Sequence, residues 1–242
     1  MILILGGTAE ARNLAAELHG RGEHVITSLA GRVSQPRLPT GEVRIGGFGG
    51  PEALATWLRE HQTDRVVDAT HPFAERISAS AAAACAAAAV PLLRLERPGW
   101  SERPEDRWTR VGDLNSAAEA IPALGERAFL TTGRQGLDAF ASTEAWCLIR
   151  CVDPPNPPLP RNREVILDRG PYTLAGEGDL LDRHRIDVVV TKDSGGTYTV
   201  AKLDAARERG LPVIVVRRPA RPADIDAVVT VDAALAWVAH AG

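Results

Sequence analysis

Short apolar runs alternate with segments of helical periodicity along this chain, and they do so twice over. In the first series the apolar runs fall at 2–5, 25–29, 43–45, 66–69 and 92–95, with helical patterns at 10–19, 52–61 and 73–89. In the second they fall at 128–132, 146–152, 164–167, 188–191 and 213–216, with helical patterns at 137–141, 173–184, 197–209 and 233–239. Strand and helix in strict turn imply parallel sheets buried on both faces, because a parallel connection needs a crossover and the crossover helix covers the sheet. The stretch from 96 to 107 is rich in proline and charge and has no periodicity. It reads as a hinge. The expected architecture is therefore α/β, two doubly wound parallel-sheet (Rossmann-like) domains at 1–98 and 99–242 with an interdomain cleft.

Ligands of open parallel sheets sit beyond the carboxyl ends of the strands, so the strand exits are the places to look for chemistry. The first exit is Gly6-Gly7-Thr8-Ala9-Glu10-Ala11, an apolar strand running through a small-residue turn into a helix. Amides at a helix N-terminus lack intrahelical partners and carry partial positive charge, which suits a pyrophosphate. A Gly-Gly turn also arises for steric reasons alone. The exit of the second run, Ser28-Leu29-Ala30-Gly31-Arg32, lacks the acid that would bond a ribose 2′-hydroxyl. It offers a hydroxyl and a cation instead, which suit a 2′-phosphate and favour NADPH over NADH. The alternative for Arg32 is a solvated loop cation.

Composition narrows the class. With 242 residues and a net charge of −3, the chain has no general attraction for nucleic acid or an anionic membrane. Cys85, Cys147 and Cys151 are odd in number and lack paired metal-ligand spacing, which reads as reduced, buried thiols in a cytoplasmic protein with no metal site. The alanine-rich stretch at 78–90 is too short and too weakly apolar to span a bilayer. Oligomeric state is open between monomer and weak homodimer.

Three further exits are polar. Asp68-Ala69-Thr70-His71-Pro72-Phe73-Ala74 offers a carboxylate and an imidazole for proton transfer, or a turn cap followed by a proline-initiated helix. Thr131-Thr132-Gly133-Arg134 and Thr191-Lys192-Asp193-Ser194-Gly195-Gly196 carry cations, and the latter is a backbone-amide nest in front of the helix read at 197. Lys192 and Lys202 are the lysines nearest that exit in sequence. Arg94, Arg97, Arg134, Arg150, Arg161, Arg163 and Arg169 cluster along the same exits, a distribution expected of a ligand with several carboxylates, although strand position fixes side-chain direction only modulo two.

These blocks, with Gly46-Gly47-Phe48-Gly49 and Arg94-Leu95-Glu96-Arg97-Pro98, resemble the precorrin-6A reductase family of cobalamin biosynthesis over nearly the whole chain and in order. The resemblance implies an NADPH-dependent oxidoreductase that reduces one C=C or C=N bond of the precorrin-6A macrocycle, a polyacidic tetrapyrrole, to give precorrin-6B. On that basis Gly6, Gly7, Thr8 and Glu10 are expected in the cofactor loop, Ser28, Gly31 and Arg32 at the adenosine ribose, and Gly47 and Thr70 toward the nicotinamide. Asp68 and His71 are the expected catalytic residues, beside solvent as a proton source. Arg134, Lys192, Ser194, Gly195, Gly196 and Lys202 are expected to bind substrate. Uroporphyrinogen-III synthase, which uses no nicotinamide, and a non-catalytic nucleotide sensor are the rival readings.

Overall fold

A computed structural model describes residues 1–31, 33–221 and 225–240. In chain order the first half contains β1 (Ile2–Leu5), α1 (Ala9–Gly20), β2 (Val25–Leu29), β3 (Glu42–Ile45), α2 (Pro51–Glu60), β4 (Arg65–Asp68), α3 (Glu75–Ala88) and β5 (Leu92–Leu95). There follow β6 (Arg107–Val111), α4 (Leu114–Ala120), β7 (Arg127–Leu130), β8 (Trp146–Cys151), β9 (Arg163–Leu167), α5 (Leu174–Arg183), β10 (Val188–Lys192), α6 (Ala201–Glu208) and β11 (Pro212–Val216). The described chain closes with β12 (Asp226–Val228) and α7 (Val231–His240). Short 3-10 turns at Ile121–Ala123 and Leu137–Phe140 complete it.

The chain forms two compact units, 1–98 with 219–242, and 99–218. Each holds one six-stranded, all-parallel sheet, in the orders β12-β5-β4-β1-β2-β3 and β6-β11-β10-β7-β8-β9. The two orders are equivalent strand for strand, so the duplication read from the sequence is real. Their sixth strands are exchanged in chain order, however. β6 follows β5 yet pairs with β11, and β12 follows β11 yet pairs with β5. Residues 219–240 therefore complete the first unit, which corrects the expected assignment of the whole of 99–242 to the second.

Both missed strands lie at sheet edges. The pattern of β6, Arg-Trp-Thr-Arg-Val, and of the three-residue β12 is half polar, because an edge strand is covered on one side only. The central strands behave oppositely: β1, β2 and β11 are buried at every residue. In the first unit, Ile2 and Ile4 of β1 face α1 and α7 together with Leu14, Leu18, Leu235 and Val238. Leu3 and Leu5 alternate onto the other face with Leu54, Leu58 and Ala84 of α2 and α3. In the second unit Phe129, Leu148, Val189 and Val213 pack with Leu181 of α5 and Leu203 of α6. All three cysteines are buried and unbridged, and burial pushes the Cys85 and Cys147 thiols up to about 12 and Cys151 to about 11. No helix among the described residues is long and apolar enough to cross a membrane.

Candidate functional site

Parallel pairing places Arg44, Ser28, Leu5, Asp68 and Arg94 on one rung across the carboxyl edge of the first sheet. Everything expected of the cofactor end, Arg32 excepted, hangs from that rung. Arg32 lies outside the described residues. Gly6 leaves β1 with its amide donating to the Ser28 carbonyl at 2.9 Å, and a Cβ there would stand 2.8 Å from Thr27 Cγ2, so the turn admits only glycine without movement. Gly7 has φ +118°, and a Cβ on it would meet nothing within 4 Å. The backbone is thus bare on the side where α1 begins, which is the cradle a pyrophosphate requires. Gly31, at φ +68°, closes the β2 exit against Ile45.

Thr8 caps α1. Its Oγ1 accepts from the Ala11 amide at 3.1 Å and donates to the Ala69 carbonyl at 2.7 Å. The hydroxyl proton is therefore committed within the protein, and what Thr8 offers an anion is its backbone amide. Glu10, in the first turn of α1, is ion-paired with Arg97 at 2.7 Å. That pairing balances a carboxylate which would otherwise oppose an anion at the helix start. At the β3 exit, Arg44 donates to the carbonyls of Gly46 at 2.6 Å and Gly47 at 3.0 Å and lies 3.9 Å over the Phe48 ring. Sequence reading passed over Arg44; a strand-end arginine followed by a glycine-aromatic loop is the signal that marks it.

Asp68, 2 % exposed, pairs with Arg94 at 2.7 Å and accepts from the Thr70 amide at 3.1 Å and hydroxyl at 2.7 Å. Arg94 also donates to Thr70 Oγ1, the Thr70 carbonyl, Ser78 Oγ and Glu96. Asp68 is thus an internal anchor for the 69–74 turn. Arg94 is likewise turned inward. His71 is half-buried at the tip of the turn, and its Nδ1 accepts from the Phe73 amide at 3.2 Å. In the neutral ring the proton consequently sits on Nε2.

In the second unit the Lys192–Gly196 block leaves β10 as expected, but the helix begins at Ala201, not at 197. The intervening loop is held by its carbonyls. Those of Gly196, Tyr198 and Thr199 accept from the Trp100 indole at 2.9 Å, the Tyr172 amide at 3.3 Å and Lys202 Nζ at 2.6 Å. Asp193 is fixed too: its carboxylate accepts from the Trp100 amide at 2.9 Å and its carbonyl from Arg218 Nε at 2.8 Å. Gly195 and Gly196 take φ +66° and +75°. Burial lowers the pKa of Lys192, and Arg134 follows Gly133, at φ +80°, at the β7 exit.

Three of the cations read at the strand exits are held by partners within the unit. Lys202 is 3 % exposed and its ammonium lies 4.6 Å over the Trp100 ring. Arg150, also buried, forms a two-pronged pair with Glu177 at 2.5 and 3.2 Å and stacks 3.7 Å over Tyr172. Arg163 begins β9 and bonds the Pro160 carbonyl, which puts it at the amino edge of the sheet, opposite the exits. Trp100, inside the segment read as hinge, is the residue whose role the sequence hid.

Comparison with known proteins covers the same span. The family model "Precorrin-6x reductase CbiJ/CobK" matches residues 1–239. The chain is 54% identical to a precorrin-6A reductase of Rhodococcus erythropolis over 98% of its own length and 96% of the relative's. It is 32% identical to a cobalt-precorrin-6A reductase of Priestia megaterium, over 90% and 91%. A solved structure titled "CobK precorrin-6A reductase" superposes with a TM-score of 0.93 at 43% identity, covering 100% of this chain and 96% of that one. With its sheet orders, its strand-exit blocks and this end-to-end match, the chain belongs to the precorrin-6x reductase CbiJ/CobK family.

Proposed function

We propose that this protein reduces one double bond of precorrin-6A with NADPH, yielding precorrin-6B in cobalamin biosynthesis. The observation that carries the reading is the 54% identity to a precorrin-6A reductase across 98% of the chain. The higher identity to relatives named for the metal-free macrocycle than to those named for the cobalt form supports the metal-free substrate.

The bare Gly6-Gly7 backbone and the amides opening α1 fit a pyrophosphate, with Arg97 offsetting Glu10 beside it. Ser28, Gly31 and Arg32 take the adenosine ribose and its 2′-phosphate, while Gly47, Thr70 and His71 flank the nicotinamide half. When bound, the cofactor supplies a hydride. The chain's own task is orientation and water exclusion, together with a proton for the adjacent carbon, given by His71 Nε2–H or by solvent. Arg134, Lys192, Ser194 and the amides of Gly195 and Gly196 take the carboxylates of the macrocycle.

An anaerobic assay following NADPH absorbance, with metal-free and cobalt-bearing precorrin-6A side by side, tests this. Oxidation is expected with the metal-free substrate. Binding of NADPH without oxidation would favour a sensor, and no binding at all a lyase of the synthase type. Arg32→Ala is expected to raise the KM for NADPH roughly 10-fold or more, the scale of one charge-assisted hydrogen bond, with NADH kinetics little changed. Equal losses with both nucleotides would contradict the 2′-phosphate role.

A further inference from the structure

A lysine sealed inside the second unit calls for an explanation, because an ammonium is rarely buried without a carboxylate on it. Lys202 starts the first turn of α6, and Nζ meets the Thr199 carbonyl at 2.6 Å and the Trp100 ring at 4.6 Å. The same Trp100 holds the Gly196 carbonyl through its indole N–H and the Asp193 carboxylate through its amide. Lysine and tryptophan together thus grip both ends of the glycine loop from beneath.

Peptide planarity gives that grip a direction. In a trans peptide the C=O of one residue and the N–H of the next point opposite ways. Drawing the carbonyls of Gly196, Tyr198 and Thr199 inward therefore turns the amides of Thr197, Thr199 and Val200 the other way. We propose that Lys202 is a positioning residue for substrate binding: through Thr199 and Trp100 it holds the 194–199 loop with its amides presented to a carboxylate, without touching that carboxylate. This rests on the preceding reading that the ligand of this loop is a polyacidic tetrapyrrole.

The grip depends on the charge of Lys202. Burial lowers its pKa to about 7, with Arg150 of β8 repelling the ammonium and Glu177 of α5 attracting it. Arg150 and Glu177 are paired to each other, and Tyr172 ahead of α5 stacks on Arg150, so the two charges nearest the ammonium oppose one another. Above pH 7 the ammonium loses its proton, and with it the cation–π contact and the charge-assisted bond to Thr199.

Steady-state kinetics of the full-length enzyme from pH 6 to pH 8.5 test the proposal. The wild-type KM for precorrin-6A is expected to climb about 10-fold through pH 7, the scale of a charge-assisted bond, while kcat and the KM for NADPH stay within about twofold across that climb. Lys202→Met is expected to show the high KM at every pH, and Trp100→Phe, which keeps an aromatic face but removes the indole N–H and the second ring, a raised KM that keeps the pH slope. A Lys202→Met KM that equals wild type, or that still climbs with pH, overturns the proposal, as does a Trp100→Phe KM equal to wild type. Backbone ¹H–¹⁵N shifts of residues 194–200 in the ligand-free enzyme supply a readout independent of turnover. In the wild type they should move between pH 6 and pH 8.5 with a midpoint near pH 7, and in Lys202→Met they should not; constant wild-type shifts overturn the role of Lys202 whatever the substrate. Absence of precorrin-6A turnover in the wild type, by contrast, overturns the functional reading and leaves the shifts to decide Lys202 on their own.

Discussion

Arg94→Met is expected to destabilise the first unit by about 3–5 kcal/mol and to abolish turnover, because it strands the Asp68 carboxylate in the interior. Asp68 is almost fully buried and takes its ion pair from Arg94 at 2.7 Å; the same guanidinium bonds Thr70 twice and reaches Ser78. Removing it therefore also releases the 69–74 turn that carries His71. Urea unfolding read by circular dichroism gives the stability loss. The double variant Arg94→Met/Asp68→Asn, in which the buried group is neutral, should recover about half of it or more. Activity should not return with it, since the turn still lacks its brace. A loss below about 1 kcal/mol for the single variant would show that the pair is not the anchor described.

Lys202→Met is expected to make the protein more stable at neutral pH even as it weakens substrate binding. The folded pKa, about 7, lies below the 10.5 of an unstrained lysine, so between those values the folded state binds fewer protons than the unfolded one. Stability from this group consequently rises with pH across that window, and the full penalty applies at pH 7 and below. Between pH 7 and pH 9 the wild type should gain roughly 2–3 kcal/mol in unfolding free energy, at about 1.4 kcal/mol per pH unit, and Lys202→Met should lack that slope. Above pH 9 the buried thiols of Cys85, Cys147 and Cys151, whose pKa values are raised, act in the opposite sense and limit the window. Denaturant titrations of both proteins at the two pH values check the difference. Equal slopes would mean that Lys202 is solvated in the folded state.

What the sequence made legible follows from burial. Strands covered on both faces, such as 2–5, 188–190 and 213–216, are continuous apolar runs, and glycine-rich exits punctuate them, so the two sheets and the family blocks could be read directly. β6 and β12 escaped because an edge strand carries polar residues on its open side. Side-chain direction escaped for a different reason. Arg94, Arg150 and Lys202 look from the sequence like ligand-binding cations, and only three-dimensional pairing with Asp68, Glu177 and the Thr199 carbonyl shows them turned inward. Nothing local distinguishes an arginine aimed at a ligand from one aimed at a carboxylate on a neighbouring strand or helix.

The exchanged sixth strands bear on how the chain leaves the ribosome. Residues 99–218 are continuous and hold every strand of their own sheet, so that half can close as soon as it is synthesised. The earlier-made half must wait: until 226–240 emerge, the flank of β5 is unpaired and the face of α1 bearing Leu14 and Leu18 lacks Leu235 and Val238. At elongation rates of about 5–20 residues per second that exposure lasts on the order of ten seconds. The nascent chain thus reverses the usual order of domain completion, and its open β5 flank is the surface a chaperone would have most reason to shield.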